Sequence, residues 1–178
     1  MERVYVPYTE LNPATIPALS GRGHHVIAVQ LGEEPTSYGD YFAARWAEGQ
    51  AFVSVEHDVV PWPGAVDSLL GCSHCWCHFD YSDDLAPSPW PPRPELCDYI
   101  RPAVLGCAKF TERFIGQLPD VWADRRKLGD EGFPWPDGGV MGRGPAEWSS
   151  LDCWLWLYAA QRGIAPHLHR PAVWHAHT

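Results

Sequence analysis

Two carboxylates flanking one residue close an apolar run in this chain. Ala51, Phe52, Val53 and Val55 lead through Ser54 into Glu56-His57-Asp58. Carboxylates beside an apolar core are costly unless paired, hydrogen-bonded or metal-bound. Two apart on a continuing strand, Glu56 and Asp58 point to one face. Such a pair suits one divalent cation, with carboxylate oxygens on one side and phosphate oxygens on the other. The other reading is an acidic loop after an edge strand. A second chemistry-bearing cluster is Cys72, Cys75, Cys77 and His78, a Cys-x-x-Cys pair with two further ligand types close behind. It could contribute to a zinc site, but a second Cys-x-x-Cys or His-x3-His pair is missing. Cys97, Cys107 and Cys153 are scattered, and without an export signal the thiols are expected to be reduced.

The elements that must position these groups alternate between strand and helix. Arg3–Pro7 reads as a first strand. A helix opens at Asn12–Leu19, with Asn12 as cap and Pro13 at the first helical position, and breaks at Gly21–Gly23. His25–Gln30 reads as a second buried strand, and Tyr38–Glu48 as a helix ended by Gly49. The apolar run before Glu56 is a strand buried on both faces, the pattern of a parallel sheet covered by helices. A helix at Pro63–Leu70 and strands at Cys75–Phe79 and Val104–Phe110 follow, then a helix from a Thr111 cap to Leu118. An aromatic helix from Ser149 to Arg162 ends at Gly163, and His167–Trp174 reads as a last strand. The proline-rich stretch Tyr81–Pro94 reads as a surface loop. Glycine and proline dominate Gly129–Gly144, which is either an irregular surface or a loop beside a site.

A chain of 178 residues with 46% apolar residues fits one domain, 1–178, with a real core. The formal net charge of -9, with no basic run, argues against nucleic acid as main partner. A nucleotide ligand remains compatible, because a bound cation supplies positive charge locally. The first residues lack the basic and long apolar regions of a signal peptide, and no apolar stretch is long enough to span a membrane. A cytoplasmic location is the resulting expectation.

The order strand, helix, strand, helix, then an apolar strand ending in acid-x-acid resembles the nucleotide-binding half of GT-A-fold glycosyltransferases. Three anchors carry the resemblance. Ala43 through Asp58 resembles that family's helix running into its Asp-x-Asp strand. Val104 to Phe114, with Gly106, resembles its acceptor-side strand and helix. Leu151-Asp152-Cys153-Trp154-Leu155, then Gly163, Pro171 and His175, resembles its Glu-Asp-x-Asp-Leu helix and the glycine, strand and histidine beyond. Departures accompany the match. Glu56 stands for the first Asp of the metal motif, Leu151 for the usual Glu and Trp154 for the second Asp of the helix motif. The acid that reads base or ribose after the second strand is replaced by Gln30 or lies among Glu33 and Glu34.

The resemblance implies an α/β fold: a compact GT-A-like, Rossmann-like three-layer sandwich with a mostly parallel central sheet. It implies a metal-dependent transferase moving a sugar from a nucleoside-diphosphate donor to an acceptor hydroxyl, with Mn2+ or Mg2+ as cofactor. Asp58 becomes a metal ligand, and Glu56 binds ribose or metal-bound water. His175 is a second ligand, with His177 as its rival, and imidazole suits manganese better than magnesium. Asp152 becomes the general base if the reaction inverts. Tyr8 and Thr9 fall where the family contacts the nucleotide. Each has a duller reading: Asp152 as a first-turn acid favoured by the helix dipole, the histidines as solvated, and Trp154, Trp156 and Tyr158 as core packing. Exposed Trp62, Trp90 or Trp135 could stack on sugar faces. Two other classes stay open: a non-catalytic sugar- or nucleotide-binding or assembly relative, and a small zinc-stabilised protein. Donor, acceptor and oligomeric state are not legible.

Overall fold

The run before the acid pair folds as β3, Phe52–Val55, with all four residues buried. It lies in the middle of a seven-stranded sheet in a computed structural model that describes residues 3–20, 23–33, 37–82, 105–123, 133–134, 140–141 and 148–175. The other strands of the sheet are β1 (Arg3–Tyr8), β2 (His25–Gln30), β4 (Val59–Val60), β5 (Trp76–Ser82), β6 (Cys107–Phe110) and β9 (His167–His175). Their order is β2-β1-β3-β6-β5-β9-β4. β1 pairs in parallel with β2 and β3, and β5 with β9, while β6 and β4 pair antiparallel to their neighbours. Strands β1, β2, β3, β5 and β9 therefore run one way, which gives the mostly parallel α/β sheet expected of a Rossmann-like fold.

Side-chain alternation divides the core into two layers. Tyr5, Phe52, Trp76, Ala108 and Phe110 face one side, where α2 (Ser37–Ala47), α4 (Glu112–Gln117) and α5 (Trp148–Ala160) bring Phe42, Trp46, Phe114, Leu151 and Leu155. Val4, Val6, Val53, Val55, Cys77, Phe79 and Cys107 face the other, covered by Leu19 of α1 (Thr15–Ser20) and Val66 and Leu69 of α3 (Ala65–Gly71). Helices on both faces make the expected three layers, and they explain why β3 reads as unbroken apolar sequence. The first layer is strongly aromatic: Phe42, Trp46, Phe110 and Trp122 meet at centroid distances between 5.3 and 5.9 Å. The Trp46 indole donates to Leu118 O at 3.0 Å. The second reading of Trp154, Trp156 and Tyr158, as core packing, is the one found: all three are half-buried against this layer.

Helix ends follow local chemistry. Asn12 Oδ1 accepts from Ala14 N–H at 2.8 Å, although regular helix starts only at Thr15. Thr111 caps α4 by accepting from Phe114 N–H. Gly163, at φ 70°, closes α5: Ile164 N–H donates to Ala159 O and Gly163 N–H to Ala160 O, the paired bonds of a left-handed glycine cap.

Several sequence expectations change. β2 is only partly covered rather than buried, because it is the outer strand beside β1. Asp152 is not at a helix start: α5 begins at Trp148, which puts Asp152 in its second turn. Within the glycine-rich stretch, β7 (Phe133–Pro134) and β8 (Val140–Met141) form a small antiparallel ladder. Tyr81 and Ser82, expected to open a surface loop, instead extend β5 against β9, while the rest of that stretch, 83–94 with Trp90, lies outside the described residues, as do Glu34, Cys97, Trp135 and His177.

Candidate functional site

Four chain segments converge at the carboxyl end of β3. Pairing of Val55 with Cys107 leaves the residues just past each strand side by side, and Glu56 N–H donates to Gly106 O at 2.7 Å. The chain then turns, with Val59 N–H donating to Glu56 O at 3.1 Å. That turn carries Asp58 and leads into β4. The Glu56 side chain is buried, and its Oε1 accepts a 2.8 Å hydrogen bond from the Tyr38 hydroxyl at the start of α2. Burial, the Glu56 charge and the Asp152 charge, in that order, push Tyr38 well above the usual phenol range, so it stays a neutral donor.

Asp152 comes to the same place from α5. Its carboxyl is pushed well above the usual carboxylate range by burial first and by the Glu56 charge second, and a backbone hydrogen bond from Leu105 opposes the shift. Glu56, Tyr38, Asp152 and the Leu105-Gly106 backbone thus form one constellation. Two carboxyl groups sharing a desolvated space cannot both ionise cheaply, so Asp152 holds its proton more tightly than a free carboxyl does.

The sheet gathers the remaining expected residues near this end. Tyr8 is the last residue of β1, pairs with Gln30 and is half-buried; exposed Thr9 follows it. Gln30 therefore does end the second strand, where the resemblance expects an acid. Asp58 is half-buried. β9 returns antiparallel to β4 and sets His175 opposite Val59, one residue from Asp58; the side chain at 175 lies outside the described residues. Trp62 is half-exposed on the short link between β4 and α3.

Sequence reasoning missed three contributors. Tyr38 reads only as one of several aromatic residues on a helix face. Thr15, fully buried at the start of α1, donates its hydroxyl to His57 O at 2.6 Å and also lies 3.2 Å from Val59 O, holding both sides of the acidic turn. The Leu105 and Gly106 backbone has no sequence signal beyond the small residue at 106.

The cysteine cluster is divided: Cys75 lies just before β5, and alternation along the strand turns His78 away from Cys77. Cys77 faces the α1–α3 layer, whereas Cys75 packs on the opposite, aromatic layer and its carbonyl accepts from Thr111. His78 is buried, with Nδ1 3.1 Å from Phe79 O. The four residues adjacent in sequence are therefore not one ligand set.

No family model matches the chain, and no curated protein sequence matches it. Solved structures do. A glycosyltransferase involved in the glycosylation of the major capsid of PBCV-1 superposes over 95% of this chain and 82% of its own, with TM-score 0.52 and 12% identity. Protein A197 from STIV matches over 66% of this chain and 68% of its own, with TM-score 0.42 and 13% identity, too loose a likeness to add to the assignment. The fold is glycosyltransferase-like. No helix among the described residues is long and apolar enough to cross a membrane.

Proposed function

We propose that this protein transfers a sugar from a nucleoside-diphosphate donor to an acceptor hydroxyl. The observation that carries the reading is the convergence of Glu56, Tyr38 and Asp152 beside the acid-x-acid turn. It occurs at the carboxyl end of the sheet, where ligands bind in open α/β folds.

The residue types suit a divalent cation, Mn2+ or Mg2+: Asp58 would supply a carboxylate and His175, whose backbone pairs with Val59, an imidazole. When bound, such a cation neutralises the departing diphosphate. The chain's own residues do the rest. Glu56, oriented by Tyr38, hydrogen-bonds ribose or metal-bound water, and Tyr8 and Thr9 line the nucleotide. Asp152 takes the acceptor hydroxyl proton as the new glycosidic bond forms and the nucleoside diphosphate leaves. The ionised form of Asp152 accepts this proton, and its raised proton affinity makes it a stronger base than a free carboxylate.

A second reading, a non-catalytic binder of the same fold, is favoured by α5. Leu151, in place of an acid, is fully buried, and the Trp154 indole, in place of another, donates to Val121 O at 2.6 Å. Asp152 is left as the acid of that motif.

Calorimetric titration with UDP and GDP, with and without Mn2+, on wild type and Asp58→Asn tests the reading. Expected is binding that requires the metal and weakens at least tenfold in the variant. Absence of binding under every condition sinks it. Metal-dependent binding without turnover on any acceptor favours the second reading.

A further inference from the structure

On the α1–α3 side of the sheet, away from the acids, Cys and His side chains from three segments meet. Cys72 and His74 lie on the loop after α3, Cys77 near the start of β5, and His167 and His169 at the start of β9. β5 and β9 run in the same direction as β3, so this group lies toward the opposite end of the sheet from Glu56 and Asp58. Register aligns Cys77 with His167 and Phe79 with His169, which brings both histidines to the face that carries Cys77.

The potential ligand atoms of Cys72, Cys77 and His169 all lie within 4.8 Å of one another, and so do those of Cys72, His74 and His167. Cys72 Sγ is 3.5 Å from His74 Nδ1. Around a tetrahedral zinc, with bonds of about 2.3 Å to sulfur and 2.0–2.1 Å to nitrogen, S···N edges are roughly 3.6 Å and S···S edges roughly 3.8 Å. Small side-chain adjustments therefore close the set. His169 Nε2 is shielded from solvent without a hydrogen-bond partner, an arrangement that is costly unless the nitrogen binds something. The rings of His74 and His167 stack at 4.1 Å, nearly parallel, so one can coordinate while the other packs against it.

The loop bearing Cys72 is held in place. Lys109, buried in the neighbouring strand and paired with Cys77, donates its ammonium to Leu70 O at 2.9 Å and Cys72 O at 3.0 Å. Two thiolates and two neutral imidazoles cancel the charge of one Zn2+, which suits a half-buried position. Cysteines ligate zinc as thiolates, so binding releases protons and weakens in acid.

We infer that Cys72, Cys77 and His169, with a fourth ligand from the His74–His167 pair, form a structural zinc site that clamps the loop after α3 to β5 and β9. It rests on none of the residues assigned to sugar transfer.

The full-length chain, purified without chelator, is assayed for zinc by elemental analysis and for free thiols. The stripped chain is then titrated with Co2+. Expected are about one zinc per chain, tetrahedral cobalt absorption with thiolate charge-transfer bands, loss of stoichiometric metal in His169→Gln, and retention in Cys75→Ser. Should His169→Gln fail to fold, the wild-type cobalt spectrum and the Cys75→Ser stoichiometry decide. A metal-free chain whose Cys72 and Cys77 form a disulfide overturns the site. So do free thiols giving no tetrahedral cobalt spectrum, zinc undiminished in a folded His169→Gln, or zinc lost in Cys75→Ser.

Discussion

Asp152 joins fold stability to the proposed chemistry through a single proton. Burial and the Glu56 charge raise its folded proton affinity above the unfolded value of about 3.9. Between those two values the native chain holds a proton that the unfolded chain has released. The contribution is full below about pH 3.9 and is lost as pH rises through the folded value. Asp152→Asn keeps the shape and removes the titration. Urea unfolding across that interval is expected to show the variant gaining on wild type as pH rises, and a constant difference contradicts the assignment. The Tyr38 hydroxyl complements it by giving the buried Glu56 a neutral donor that does not itself ionise.

The acidic turn between β3 and β4 is held from α1. The Thr15 hydroxyl reaches two carbonyls on either side of Asp58, so the helix start sets the path of the turn. Thr15→Val keeps the branched shape and removes the contact. It is expected to cost about 1–3 kcal/mol in urea unfolding, the usual loss when buried polar groups go unsatisfied. It is also expected to weaken Mn2+-dependent UDP or GDP binding. Unchanged nucleotide affinity in a destabilised variant separates a purely structural role for Thr15 from one in shaping the site.

Two hydrophobic layers, one on each face of a single sheet, make up the core. Ile115 belongs to the aromatic layer and Leu69 to the α1–α3 layer, and both are buried. Ile115→Val is expected to cost about 0.5–1.5 kcal/mol and Leu69→Ala about 2–5 kcal/mol. With the sheet between them, their effects should add to within about 0.5 kcal/mol in chemical denaturation. A larger coupling would mean that the sheet transmits packing strain from one layer to the other. The arrangement also places the two candidate sites toward opposite ends of the sheet, so loss of zinc and loss of nucleotide binding are separable by mutation.

Much of this was legible in the residues. β3 was visible because a strand covered on both faces has no polar alternation, and the caps at Thr111 and Gly163 were visible because they act within a few residues. Asp152 could be picked out but not placed, since a carboxylate on a helix carries no sign of what lies across from it. The edge position of β2, the grip of Thr15 on the turn and the Tyr38–Glu56 bond came only from the fold, because partners 18 to 44 residues apart leave no local pattern. The cysteines show the limit most sharply. Proximity along the chain grouped Cys75 and His78 with Cys72 and Cys77, but Cys75 sits before β5 against the aromatic layer, and alternation along β5 turns His78 away from Cys77. The parallel return of β9 instead brings His167 and His169, some ninety residues later, to the face that Cys77 shares.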